Sequence, residues 1–173
     1  MNVIGIDPSL TATGLAWADG STSTIKYPKY VTGDHRLAFI AEIVNQVGFT
    51  PMSGSRVDLA VVEDLPTHAH GAGITGMVQG VIRMQLIRDG IQYLTIPAAT
   101  LKKYATGKGN ATKPDMRMEM YKRTGIDLKD DNQVDAWWLR ALGHELLGEP
   151  VVTLPKTHTD ALGKLTLPAG VAA

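Results

Sequence analysis

Acidic residues that close runs of strand-forming residues are the first feature of this chain able to do chemistry. Asp7 ends VIGID and Glu63 ends LAVVE. A third acid, Asp135, lies in DDNQVDAWWL, within the first turns of what apolar spacing marks as the last long helix. A carboxylate at the end of a buried strand is costly to ionise unless a cation or a donor meets it. Acids converging from two strands and a helix would form an oxygen-lined pocket for a hard cation, Mg²⁺ or Mn²⁺. Two such ions about 4 Å apart activate a water and stabilise the leaving oxygen of a phosphodiester. Taken singly, the acids have simpler uses, since Asp130 and Asp131 are placed to cap a helix N-terminus and complement its dipole. On that helix Asp131 shares a face with Asp135 at i,i+4, and Asn132 shares one with it at i,i+3.

A basic segment accompanies the acids. From Lys102 to Arg123 seven cationic side chains stand against two anionic ones, a net +5 in a chain whose 17 Lys and Arg balance 17 Asp and Glu. Local positive charge of this kind suits a phosphate backbone. Within it, GKGNA carries two glycines that let backbone N–H groups approach phosphates closely. Lys102, Lys103, Lys108, Lys113 and Arg117 are the candidate DNA contacts. The simpler reading is a solvated helical face beside a flexible turn.

The elements that must position these groups follow from periodicity. Val3–Asp7 reads as a buried strand, 13–17 as its hairpin partner and 24–31 as a weaker third strand. Helical spacing covers 35–49, and 57–63 contains the continuous apolar run LAVV of a strand buried on both faces. Then follow a loop, THAHGAG, a helix over 74–88, a strand over 91–96, and helices over 98–105, 113–123 and 131–147. Gly76 and Gly80 make a smooth strip on the 74–88 helix, able to pack on the sheet or on another helix. Three meandering strands followed by helix–strand alternation predict a mixed α/β sheet.

At 173 residues the chain suits one compact domain over 1–148, followed by a proline-bearing tail over 149–173. The lack of cysteine excludes disulfide scaffolds and thiolate metal sites. No signal-like start and no membrane-length apolar window is present, so the expectation is a cytoplasmic protein.

Four segments in order, VIGIDPSLTATGLA, LAVVEDLP, IPAATLKKYATGKGNATKPDM and DDNQVDAWWL, resemble the RuvC-like Holliday-junction resolvases of the RNase H-like nuclease superfamily. The resemblance spans residues 2 to about 146. It implies a five-stranded mixed sheet flanked by helices, a homodimer, and Mg²⁺-dependent cleavage of branched DNA, most characteristically four-way junctions, in a bacterial cell or a virus-infected host. It matches Asp7, Glu63 and Asp135 to the family's catalytic acids, and Lys102 and Lys113 to lysines near the active site and DNA. The family's fourth metal-site position falls on Asn132, a neutral ligand, with Asp131 beside it as a substitute whose side chain points about 100° away around the helix. Family members can carry an aromatic wedge in the loop after the glutamate. Here that loop, 65–73, offers Pro66, His68 and His70 instead. The family's dimer helix corresponds to 74–88.

Other readings compete. An actin-like or sugar-kinase-like ATPase shares the opening strand, aspartate and hairpin, but needs a second phosphate loop that this sequence lacks. A nuclease of the same fold could instead cut forks, flaps or RNA–DNA hybrids, and a non-catalytic junction binder could use the same scaffold. Retention of all three acids argues against the last.

Overall fold

The computed structural model describes residues 1–47, 56–65 and 72–171. Three strands, β1 (Val3–Asp7), β2 (Ala12–Ala16) and β3 (Thr22–Lys26), form the antiparallel meander, and helix α1 (His35–Val47) follows. Strand β4 (Leu59–Glu63), helix α2 (Ala72–Arg88) and strand β5 (Gln92–Ile96) come next. Helices α3 (Ala98–Thr106), α4 (Lys113–Thr124) and α5 (Asp131–Leu146) complete the predicted order. The sheet order is β3-β2-β1-β4-β5, with β1 and β3 antiparallel to β2, and β4 parallel to both β1 and β5. This is the mixed five-stranded sheet expected of an RNase H-like α/β fold.

Alternation along the strands divides the core into two layers. Ile4, Ile6, Ala60 and Val62 face α1 and α2, packing on Ile40, Val44, Val78, Ile82 and Leu86. Val3, Leu59, Val61 and Ile96 face the other way, into a layer built from α3, α4 and α5 around Tyr104, Met116, Trp138 and Leu142. Trp137 and Trp138 are core residues, and the Trp138 indole donates to the Met116 carbonyl at 3.1 Å. Period two therefore assigns Asp7 and Glu63 to the same face as Val3 and Val61, the face covered by α5.

Helix α5 lies unusually close to that face. A Cβ on Gly5 would stand 2.0 Å from the Ala136 carbonyl oxygen, and one on Gly14 2.1 Å from that of Asn132. Only glycine permits this approach of helix backbone to strand backbone. Contact at Gly14 and Gly5 also orients the helix, bringing its N-terminal turns to the ends of β1 and β4 where the acids stand. Asp130 caps α5, accepting from the Asn132 N–H at 3.0 Å, and is itself held by the Thr24 hydroxyl at 2.8 Å. The neighbouring α4 begins with a capping box in which Thr112 and Asp115 satisfy each other's backbone donors, next to Pro114.

Two sequence expectations change. The third strand ends at Lys26 rather than 31, because Pro28 has no N–H to donate and its carbonyl accepts from Val31 in a turn. The segment read as a tail packs on the core. It forms a short helix α6 (Lys156–Thr159) and a 3₁₀ turn (Asp160–Leu162), buries Val152 and Leu162, and seats His158 against α3 through the Tyr104 carbonyl at 2.8 Å. Among the described residues no helix is long and apolar enough to cross a membrane.

Candidate active site

Asp7, Glu63 and Asp135 line one open cavity of about 310 Å³, together with Lys102, Lys113, Asn132, Ser9, Ala98 and Met116. Asp7 is 8% exposed at the end of β1, and Glu63 is half-buried at the end of β4. Helix α5 brings Asp135 and Asn132, α3 brings Lys102, and the first residue of α4 is Lys113. The buried amide of Gln79, on α2, donates to the Glu63 carbonyl at 2.7 Å and holds the end of β4.

Three acids in so dry a place raise one another's proton affinity. Burial, then the charge of Glu63 and a hydrogen bond with it, pushes Asp7 well above the ordinary 3.8. Burial likewise raises Glu63. Asp135 is pushed up to about 7, first by burial and then by the charge of Asp7. Lys113 opposes the shift at all three acids, and Lys102 opposes it at Glu63 and Asp135. The lysines do not offset the burial. A group of carboxylates whose proton affinities are all raised is short of positive charge.

A divalent cation would supply that charge. Among the described residues no three His, Cys, Asp or Glu side chains close tightly enough to hold a metal ion. Asp7 and Glu63, however, stand close enough for the charge of Glu63 to raise the proton affinity of Asp7. Magnesium keeps several waters and is commonly held by one or two carboxylates plus substrate phosphate. The oxygen donors here fit that demand. Asn132 gives its amide N–H to the Asp130 cap at 3.0 Å, which fixes its rotamer within the cavity wall.

The structure sorts the remaining candidates. Asp131 does not line the carboxylate cavity. Its half-exposed carboxylate lies 3.9 Å from Lys113 Nζ and lines a neighbouring cavity. Arg117 is bound to Asp127 through Nε at 2.9 Å and Nη2 at 2.5 Å, so its charge is already matched. Lys122 and Arg123 are similarly paired with Glu119. Among the described residues, Lys102, Lys103 and Lys108 have no carboxylate within 4 Å, and Lys103 and Lys108 are exposed. Residues 66–71, and with them Pro66, His68 and His70, lie outside the described residues.

Sequence reasoning missed Ser9 and Gln79. The hydroxyl-rich PSLTAT turn signals Ser9, whose backbone N–H and carbonyl both bond the Thr13 hydroxyl, at 3.1 and 2.7 Å. Gln79 left no sequence signal beyond a polar residue on an apolar helix face.

No family model and no curated protein matches the sequence. Solved structures do. The Thermus thermophilus RuvC structure aligns over 88% of this chain and 100% of its own, with a TM-score of 0.66 and 19% identity. T. thermophilus RuvC in complex with Holliday junction substrate aligns over 88% of this chain and 99% of its own, with a TM-score of 0.68 and 18% identity. The chain therefore has a RuvC-like fold.

Proposed function

We propose that this protein is a divalent-metal-dependent endonuclease that resolves four-way DNA junctions by paired nicking of phosphodiesters. The observation that carries the reading is the cavity in which Asp7, Glu63 and Asp135 meet Lys102 and Lys113, on a fold shared with a protein whose structure has been solved with Holliday junction substrate. Asp7, Glu63 and Asp135 would hold the cation, Mg²⁺ or Mn²⁺, with Asn132 as a neutral fourth ligand. Bound there, the cation supplies Lewis acidity toward a phosphoryl oxygen and lowers the pKa of a water nucleophile.

The chain's own groups do the rest. Lys113 and Lys102 present ammonium donors to a phosphate entering the cavity and stabilise negative charge as it grows. Lys103 and Lys108 extend the positive surface along the backbone of the same strand. Arg117, matched by Asp127, contributes structure rather than free charge. Ser9 and the Thr13-braced turn keep small groups at the mouth, leaving room for a DNA strand. Residues 1–148 make up the nuclease domain, and the segment beyond braces α3.

Paired nicks need two active sites related by a two-fold axis. The outer face of α2 supports such a homodimer. Met77, Met84 and Ile87 are 47%, 42% and 63% exposed, on one stripe with Gly73 and Gly80. Among the described residues nothing comes within 4 Å of a Cβ position on either glycine. Apolar side chains interleaved with glycines favour close helix–helix contact with a second copy. Such a reaction belongs where DNA recombines, the cytoplasm of a bacterial cell or of a virus-infected host.

The test offers the purified protein a four-way junction, a fork, a flap, a duplex and an RNA–DNA hybrid, with Mg²⁺ and with EDTA. Symmetric Mg²⁺-dependent nicks in the junction alone are expected. Equal cutting of all branched forms would make the protein a general structure-selective nuclease instead. Asp7→Asn is expected to abolish cutting while retaining junction binding, and undiminished cutting by that variant would remove Asp7 from the site.

A further inference from the structure

The three acids are not held alike. Asp7 lies within the β1–β2 ladder, opposite Gly14. Asp135 is fixed by the seat of α5 on the backbone at Gly5 and Gly14. Glu63 has neither support. The β1–β4 ladder ends at the pair Ile6 and Val62, so Glu63 stands one residue beyond it. Its partner is Ile96 on β5, the edge strand of the sheet. Packing does not confine it either. Glu63 borders the carboxylate cavity and also a smaller one of about 170 Å³, lined with it by Pro8, Asp64, Thr75 and Ala98.

Helix α2 supplies the missing restraint. Gln79 is 1% exposed, and its Nε2 donates to the Glu63 carbonyl at 2.7 Å. Its Oε1 accepts from Arg83, one turn further along α2, at 3.4 Å. Arg83 in turn donates to the Tyr93 hydroxyl on β5 at 3.4 Å, with its guanidinium 5.5 Å from the centre of that ring. The amide is therefore oriented by a side chain tied to the same strand that pairs with Glu63. The chain leaving β4 lies against α2 as well, since a Cβ on Gly76 would stand 3.8 Å from Leu65 Cδ1. Gln79 sits beside Val78 in a layer that is otherwise apolar, with Ile82 and Leu86. An amide buried there costs free energy that an apolar side chain of the same size would avoid. Core volume alone does not call for it.

We propose, resting on the nuclease reading above, that Gln79 is a positioning residue for the divalent cation. By fixing the main chain at Glu63, it sets where that carboxylate stands relative to Asp7 and Asp135, and with it the affinity of the site for Mg²⁺. Gln79 does not line the carboxylate cavity, so it acts through Glu63. Magnesium tolerates little departure from octahedral geometry, which makes its binding sensitive to a shift in one ligand.

The experiment compares full-length wild type with Gln79→Met, which keeps the length of the side chain and removes the donor. Three quantities are measured. The first is the Mg²⁺ dissociation constant without DNA, from the dependence of melting temperature on MgCl₂ at pH 8. The second is the Mg²⁺ concentration that half-activates cutting of a four-way junction, and the third is junction binding in EDTA. Gln79→Met is expected to weaken Mg²⁺ by about tenfold in the first two, the loss typical when a partner behind a metal ligand is removed. Junction binding should be unchanged, and excess Mg²⁺ should restore most of the cutting rate. A purely structural Gln79 would lower the melting temperature in EDTA and leave both Mg²⁺ constants where they were. That result, in a wild type that cuts, would overturn the proposal and leave the nuclease reading intact. So would a loss of cutting matched by an equal loss of junction binding. A wild type that neither cuts nor responds to Mg²⁺ or Mn²⁺ would overturn both. If Gln79→Met does not melt cooperatively, Gln79→Asn, whose amide is one methylene short of the carbonyl, takes its place with the same expected and refuting results.

Discussion

Replacing Asp135 with asparagine should make the metal-free protein more stable above neutral pH. Its carboxyl is held at about 7 in the folded chain against an ordinary 3.8. Because the folded form binds the proton more tightly, unfolding releases it between those two values. Stability then falls as pH rises through the window, by about 1.4 kcal/mol per pH unit, and the penalty is complete above about 7. At pH 8 the penalty is about 4 kcal/mol, and at pH 5 about 2 kcal/mol. An asparagine amide in the same place carries its own desolvation cost of about 2 kcal/mol. The variant should therefore gain ~2 kcal/mol at pH 8, a rise in Tm of about 4–8 °C for a chain of this size, and nothing at pH 5. The assay is thermal melting with EDTA at pH 5, 6, 7 and 8. Addition of millimolar MgCl₂ at pH 8 should raise the wild type and leave the variant unmoved. A variant that melts at or below wild type at pH 8 would refute the reasoning. So would an advantage that does not shrink toward pH 5, since it could not come from the charge.

Lys113→Ala should slow cleavage and reduce the salt dependence of junction binding by about one unit of log–log slope; a titration from 50 to 200 mM salt checks it, and an unchanged slope removes Lys113 from the phosphate contacts. Gly14→Ala would place a methyl 2.1 Å from the Asn132 carbonyl oxygen and should cost about 3 kcal/mol or more, read by urea unfolding. Activity in the folded fraction should also fall, because α5 carries Asp135. Met84→Glu with Ile87→Glu should convert a dimer to a monomer in sedimentation equilibrium, with melting of the monomer little changed.

Much of the fold was legible because its periodicity is local. VIGID and LAVVE announce buried strands, and Thr112, Pro114 and Asp115 announce the start of α4 within a few residues of sequence. The three acids were legible for the same reason, as each sits where a regular element stops or begins. What escaped depends on partners distant in sequence. Nothing local ties Arg117 to Asp127 across the end of α4, so its charge read as free. Nothing local separates Asp131 from the metal site except the helical angle, which already pointed it elsewhere. The packed segment after 148 has no repeat, since Leu162 reaches the core from a single 3₁₀ turn and Leu154, Leu165 and Leu167 reach it from irregular chain. Gly5 and Gly14 stand in strands as residues that ordinarily weaken them, and only the backbone of α5 explains their presence.

That seat of α5 on Gly5 and Gly14 acts as a mechanical stop. The distance from the β1 acid to the helix acid is set by main chain resting on main chain, with no side-chain volume between to vary. Layers on either side can then be rebuilt, residue by residue, without moving the reacting groups relative to each other. A scaffold gauged in this way can hold three acids at a fixed spacing while its sequence shares only 18–19% identity with structures of the same fold.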